Sequence, residues 1–181
     1  AFHGEAEIHR LARGLDPRPW CLTISFTHPH DPYVARQRFW DLYEGCQALE
    51  PLVSAKAFSE QDPHSQRLML ANDHENFEIT IDHVRRARQG YFANISYLDE
   101  KIGRIWDSLE RCRMLDDTII VLCGDHGDML GERGLWFKMS FFEGSARVPL
   151  MIAAPDLSPS RITTPVSLMD IGATLLDLCG V

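Results

Sequence analysis

An α/β sandwich with a largely parallel central sheet flanked by helices is the fold class predicted for this chain of 181 residues. Three observations predict it. Short, β-rich apolar runs recur at "WCLTISF" (20–26), "TIIVLCGD" (118–125) and "ARVPLMIAAP" (146–155). A long stretch of helical periodicity, about 82–113, lies between the first two. A second helical stretch, "PVSLMDIGATLLDLCG" (165–180), follows the third. Strands that alternate with helices place a sheet between helical layers, and their crossovers favour parallel pairing.

The elements follow in order. In "EAEIHRLARG" (5–14), Ile8, Leu11 and Ala12 share a helical face and Gly14 is a stop. The run 20–26 is bounded by prolines and reads as a buried strand. "THPHDPY" (27–33) ends it, because its two prolines forbid helix and ladder. The chain is turned out of the sheet there, where His28, His30 and Asp31 cluster. Residues 37–80 have weak periodicity and many turn formers. They read as an irregular excursion with short helices at 37–47 and 65–71, of the kind that is functional or mobile. In 82–113, Tyr91, Ile95, Leu98, Ile102, Ile105 and Leu109 form one apolar stripe, which puts Asp99 and Lys101 on the solvated side. In the closing helix, Ser167 is a candidate N-cap and Gly180 lies near the end.

Composition narrows the function classes. Hydrophobic residues are 45% and charged residues 24%, which suits one soluble domain with a real core. A net charge of −8 argues against a nucleic-acid surface but leaves room for a local cationic site. No apolar run approaches the roughly 20 residues of a membrane span, so no membrane partner is expected. No signal-peptide pattern is visible. The chain opens on Ala1 and closes abruptly on "LDLCGV", which suggests a piece of something longer. The five cysteines are odd in number and no pair has CxxC spacing. Reduced thiols in the cytoplasm are the expectation, with Cys21 and Cys123 buried in strands as small apolar groups.

Three groups of residues carry the chemistry. Asp125 and His126 follow the apolar run "IIVLCG", a strand end where ligands gather in α/β sheets. A carboxylate and a neutral imidazole there suit a divalent metal. Gly124 allows a sharp turn, and Gly127 leaves room for metal or substrate. The alternative is a capped polar turn. In "HPHDP" (28–32), His30 is held between prolines and suits a general acid or an anion contact; a surface loop is the alternative. Lys138, beside Trp136 and Phe137, suits an anion contact, although a solvated lysine is the common case. Glu143 and Arg147 are spaced for a structural ion pair. A cation, a histidine and a lysine in one pocket bind a tetrahedral oxyanion and offset the charge developing on its transfer. Sulfuryl and phosphoryl esters both fit, and no nucleophile is evident.

"SFTHPHDPY" (25–33), "GYFANISYLDEKIGRIWDSLE" (90–110), "TIIVLCGDHGDMLGERGLWFKMSFFEGSARVPLMIAAP" (118–155) and "VSLMDIGATLLDLCGV" (166–181) closely resemble type I sulfatases, nearest the choline-sulfatase branch. The resemblance runs over the whole chain and is loosest at 45–80. It implies an alkaline-phosphatase-like fold and hydrolysis of a sulfate ester, choline O-sulfate first, by a formylglycine nucleophile. It places Asp125 and His126 on metal positions, His30 on a sulfate and leaving-group contact, and Lys138 on a sulfate-oxygen contact. His28 and Asp128 receive no role. One divalent metal is implied, calcium first, with manganese or magnesium as alternatives because imidazole ligates calcium poorly. A homo-oligomer is also implied. No cysteine here lies in the family's Cys-x-Pro/Ala-x-Arg motif, and the early Asp-Asp metal pair is missing, since Asp116 and Asp117 sit in a helix-to-strand turn. Residues 1–181 therefore read as the middle and C-terminal part of a sulfatase catalytic domain, inactive alone. A phosphonate or phosphate ester hydrolase on the same fold is the rival. A non-catalytic anion- or metal-binding module is the other, should the chain be complete.

Overall fold

The computed structural model describes residues 1–16 and 18–181. In chain order its regular elements are α1 (Phe2–Leu11), α2 (Gln37–Trp40), α3 (Pro63–Ala71), α4 (Ile81–Arg111), β1 (Ile120–Cys123), α5 (Glu143–Ala146), β2 (Leu150–Ala153) and α6 (Asp170–Leu178), with short 3-10 turns between them. Helix α4 is the scaffold, and α1 and α2 pack on it. It starts where Thr80 Oγ1 accepts the His83 amide and His83 Nδ1 accepts the Thr80 amide, a reciprocal cap. Its apolar stripe is present, and Leu109 is buried, but Ile95 faces solvent.

Gly90 stands inside α4 for a physical reason. A Cβ built there would lie 2.2 Å from the Tyr33 carbonyl oxygen. The glycine lets the backbone after the 28–32 turn rest directly on the helix. On the same helix, Val84 and the buried Arg88 receive the segment that follows β1. Arg88 Nη1 donates to the Leu130 carbonyl at 3.2 Å and to Glu132 Oε1 at 3.1 Å. Met129, Leu130 and Leu135 are buried beside these contacts.

The strands differ from the sequence expectation. β1 and β2 pair antiparallel, with Ile120 opposite Ala153 and Cys123 opposite Leu150. No parallel ladder occurs among the described residues. The connection between them, residues 124–149, holds only α5 and turns and no crossover helix. Residues 20–26 are extended, with Leu22, Ile24 and Phe26 half-buried and the alternate residues exposed, but join no ladder among the described residues. Cys21 and Cys123 are exposed rather than buried. One expectation for α4 is also corrected. Lys101 is only 13% exposed, pairs with Glu100 Oε1 at 2.7 Å and sits 4.9 Å from the Tyr97 ring centroid.

The excursion is more ordered than its weak periodicity suggests. α3 begins at Pro63, whose missing N–H costs nothing at a first helical position. Asp62 caps it, accepting from the His64 and Ser65 amides and from Ser65 Oγ. At α6, Ser167 Oγ accepts the Met169 amide and Asp170 Oδ2 accepts the Ser167 amide, so the expected cap forms one turn before the helix.

The Asp62 cap is testable by pH. The Ser65 hydroxyl, with the Ser65 and His64 amides, holds the Asp62 carboxyl down at about 2. A depressed folded value stabilises the fold above the ordinary carboxylate pKa, and that contribution fades as pH falls through about 2. Asp62→Ala in the full-length protein is expected to lower the melting temperature at neutral pH. The gap from wild type should narrow from about pH 4 downward, and a gap independent of pH would show that the carboxylate is not the cap.

Candidate active site

The 27–33 turn presents His30. Its amide donates to the Thr27 carbonyl at 3.1 Å, and the His28–Pro29 and Asp31–Pro32 bonds are cis. His30 Nδ1 lies 2.9 Å from the Asp31 carbonyl oxygen and 3.0 Å from Asp31 Oδ1. Both partners are acceptors, so Nδ1 carries the proton and Nε2 faces outward with its lone pair. Lys138 Nζ meets that Nε2 at 2.8 Å across 108 residues of sequence. The structure thus brings together two residues that the sequence singled out separately. His28 stays apart from the pair, with its ring centroid 5.0 Å from that of Tyr97.

Lys138 rides on an unusual loop. Leu130, Arg133, Phe137 and Met139 all have positive φ, as do Gly131 and Gly134. For a residue with a Cβ this costs roughly 1–2 kcal/mol. Phe137 and Met139 flank Lys138, so its backbone is set by two left-handed neighbours. Such a loop persists only where its surroundings over-determine it. The surroundings come from the excursion. The Leu52 and Val53 amides donate to the two Glu132 carboxylate oxygens at 2.9 and 2.8 Å. Gln61 Nε2 donates to the Arg133 carbonyl at 2.7 Å, and the Arg133 amide donates to the Val53 carbonyl at 2.9 Å. His64 Nε2 lies 2.7 Å from the Met139 carbonyl oxygen, and donates to it in the tautomer this contact requires.

Asp128 joins the two segments. Its Oδ1 accepts the Leu130 and Phe137 amides, each at 3.0 Å, and its Oδ2 accepts the Tyr33 hydroxyl at 2.7 Å. Burial and the adjacent Asp128 carboxylate push the Tyr33 phenol far above its ordinary range, so it stays protonated as a donor.

Asp125 and His126 lie on the same loop, after β1. Gly124 is not left-handed, and a Cβ there would meet Val148 only at ordinary contact distance, so no sharp turn needs it. Gly127 serves a different neighbour from the one expected. A Cβ there would lie 2.1 Å from the Gly144 carbonyl oxygen, while its amide donates to the Ser145 carbonyl at 2.7 Å. The missing side chain admits α5, not a ligand. Glu143 and Arg147 of that segment do pair, at 3.3 Å, but both are well exposed and the bridge adds little.

Asp125 and His126 offer donors that would make part of a metal ligand set. His126 Nδ1 lies 2.9 Å from the Gly127 carbonyl oxygen, which fixes its proton there and frees Nε2. That Nε2 is 3.6 Å from Asp125 Oδ2, and the Asp125 side chain is 90% exposed. One carboxylate and one free imidazole nitrogen suit a divalent ion as part of a ligand set. Among the described residues no group of three or more candidate ligands gathers, so the pair alone makes no complete site.

The sulfatase family profile matches residues 6–181. The chain belongs to the sulfatase family. It is 62% identical over 184 aligned residues to a choline-sulfatase of Rhizobium meliloti, covering all of this chain and 36% of that protein. An arylsulfatase of Clostridium perfringens is 32% identical over 91% of this chain and 35% of its own length. The chain thus spans about a third of the length of these curated relatives. Among solved structures, a phosphonate monoester hydrolase from Silicibacter pomeroyi superposes with a TM-score of 0.79 over 96% of this chain and 37% of its own, at 24% identity. A phosphonate monoester hydrolase of Agrobacterium radiobacter is 27% identical, with a TM-score of 0.64 over 86% of this chain and 32% of its own. The α/β, alkaline-phosphatase-like fold class follows from these likenesses.

Sequence reasoning missed Asp128, Tyr33 and His64. The signal for Asp128 was its position inside the quoted motif; for His64 there was none. Gly127→Ala tests the site's packing, with an expected loss of about 1–3 kcal/mol in urea unfolding of the full-length protein. An unchanged midpoint would mean that α5 does not pack on Gly127.

Proposed function

We propose that residues 1–181 form the middle and C-terminal part of a sulfatase catalytic domain, and that the full-length protein hydrolyses a sulfuric ester. Choline O-sulfate is the first substrate, on the strength of the choline-sulfatase relative at 62% identity. The observation that carries the reading is the 2.8 Å contact of Lys138 Nζ with His30 Nε2. A fixed ammonium beside an imidazole whose Nε2 can carry a proton makes a receptor for an ester oxyanion.

The chain's own residues then have definite tasks. Lys138 holds a sulfuryl oxygen and offsets the charge that grows on it in the transition state. His30 keeps its Nδ1 proton on Asp31 and works through Nε2. In its protonated form the Nε2 proton passes to the departing alkoxide oxygen. Asp125 and His126 would contribute to holding a divalent cation, with calcium first and manganese or magnesium as alternatives. When bound, that ion supplies Lewis acidity toward the ester oxygens. The nucleophile of this reading is a formylglycine made from a cysteine outside the chain.

The Agrobacterium radiobacter neighbour favours a second reading, cleavage of phosphonate monoesters, because a lysine and a histidine serve either oxyanion. Parallel assays on choline sulfate and a phosphonate monoester separate the two, and much faster phosphonate cleavage would displace the sulfatase reading. No helix among the described residues is long and apolar enough to cross a membrane. A cytoplasmic location is supported by five free cysteines, and a homo-oligomer by the family resemblance.

Two variants of the full-length protein test the assigned roles. Lys138→Ala is expected to lower kcat on the order of 10²–10³-fold, and an unchanged kcat/KM would return Lys138 to an ordinary surface lysine. His126→Ala should lower bound metal measured by elemental analysis, whereas undiminished metal content refutes ligation.

A further inference from the structure

We infer that Asp128 is a positioning residue for the oxyanion receptor, acting through Tyr33 on His30 and through Phe137 on Lys138. The inference rests on the functional reading above and deepens it. Asp128 touches neither His30 nor Lys138. It binds the residue directly before Lys138 and a residue three positions after His30, so one carboxylate sets the spacing of both groups.

Three observations carry the argument. The first is engagement of both carboxylate oxygens. Asp128 accepts two amides on Oδ1 and the Tyr33 hydroxyl on Oδ2, all at 2.7–3.0 Å. A carboxylate engaged this fully is fixed in orientation and transmits its position to all three donors. The second is backbone strain. Phe137, with φ of 61°, is left-handed, and it receives a second hydrogen bond where the Met129 amide donates to its carbonyl at 2.7 Å. Without the bond from its own amide to Asp128, Phe137 would relax toward the right-handed region and swing Lys138 away. The third is the seat of Tyr33. Its carbonyl lies against Gly90, its ring centroid is 6.1 Å from that of Tyr91, and its hydroxyl reaches Asp128. The 28–33 turn is thereby fastened at its far end to the loop that bears Lys138.

An aspartate placed only for stability would cost activity whatever stands at position 138. An aspartate that acts in part through Lys138 would cost less once that lysine is gone. Asp128→Asn, Lys138→Ala, the double variant and wild type, all full length, form a cycle that separates these cases. The readouts are kcat and KM on choline sulfate, the Kd of inorganic sulfate by calorimetry, and bound metal by elemental analysis. Asp128→Asn is expected to lower kcat about 10–100-fold with KM and metal content little changed. In the Lys138→Ala background its further effect should shrink to the share carried through Tyr33 and His30. Tyr33→Phe removes one hydroxyl, keeps the ring, and is expected to lower kcat about 3–10-fold. It decides the matter where Asp128→Asn fails to fold.

Equal losses in both backgrounds overturn the inference, as does unchanged kcat in a folded Tyr33→Phe protein. Loss of metal in step with activity overturns it too. A wild-type protein that hydrolyses no sulfate ester refutes the functional reading instead. The cycle in sulfate Kd then decides the positioning role by the same criterion.

Discussion

The carboxylate of Asp128 is the constraint on which the rest of the site depends. Two segments 95 residues apart meet at its two oxygens. One is the turn that bears His30; the other is a loop with four left-handed residues bearing side chains. An isolated peptide would not choose that loop conformation. It is retained because it is tied to the turn and to α4. Hydrogen bonds to an ionised acceptor are worth more than neutral ones, and this acceptor makes three.

Around that tie stands a second ring of support. Arg88 emerges from α4, almost wholly buried, and binds the Leu130 carbonyl and Glu132. Glu132 in turn accepts two amides from the excursion. Removing one member of such a buried pair strands the other charge and costs about 3–5 kcal/mol. The excursion therefore acts as a brace for the lysine loop. Its irregularity follows from its task, since it must offer backbone amides and carbonyls to another loop rather than to itself.

Much of this was legible in the residues, but unevenly. The long helix was plain from its 3.6-residue stripe, and its boundaries fell within two residues of 82–113. The structure places His30 and Lys138, two separately chosen residues, in contact. Pattern alone misplaced Lys101, because its pairing with Glu100 and Tyr97 is local chemistry that periodicity does not encode. It misread Gly127, because a close approach of distant backbone leaves no mark in sequence. It overstated the burial of Cys21 and Cys123 and expected parallel pairing, since β-rich runs report strand character but not which partner lies alongside. The brace was invisible for a similar reason: its bonds are mostly to backbone, and backbone carries no sequence signature.

The sulfatase membership and the Lys138–His30 contact lead to one direct measurement: a crystal structure of the full-length protein with bound sulfate. The account predicts a sulfate oxygen within hydrogen-bond distance of both Lys138 Nζ and His30 Nε2, with Asp128 still binding Tyr33 and Phe137. A sulfate bound elsewhere, with the direct Lys138–His30 contact of 2.8 Å intact, would contradict it.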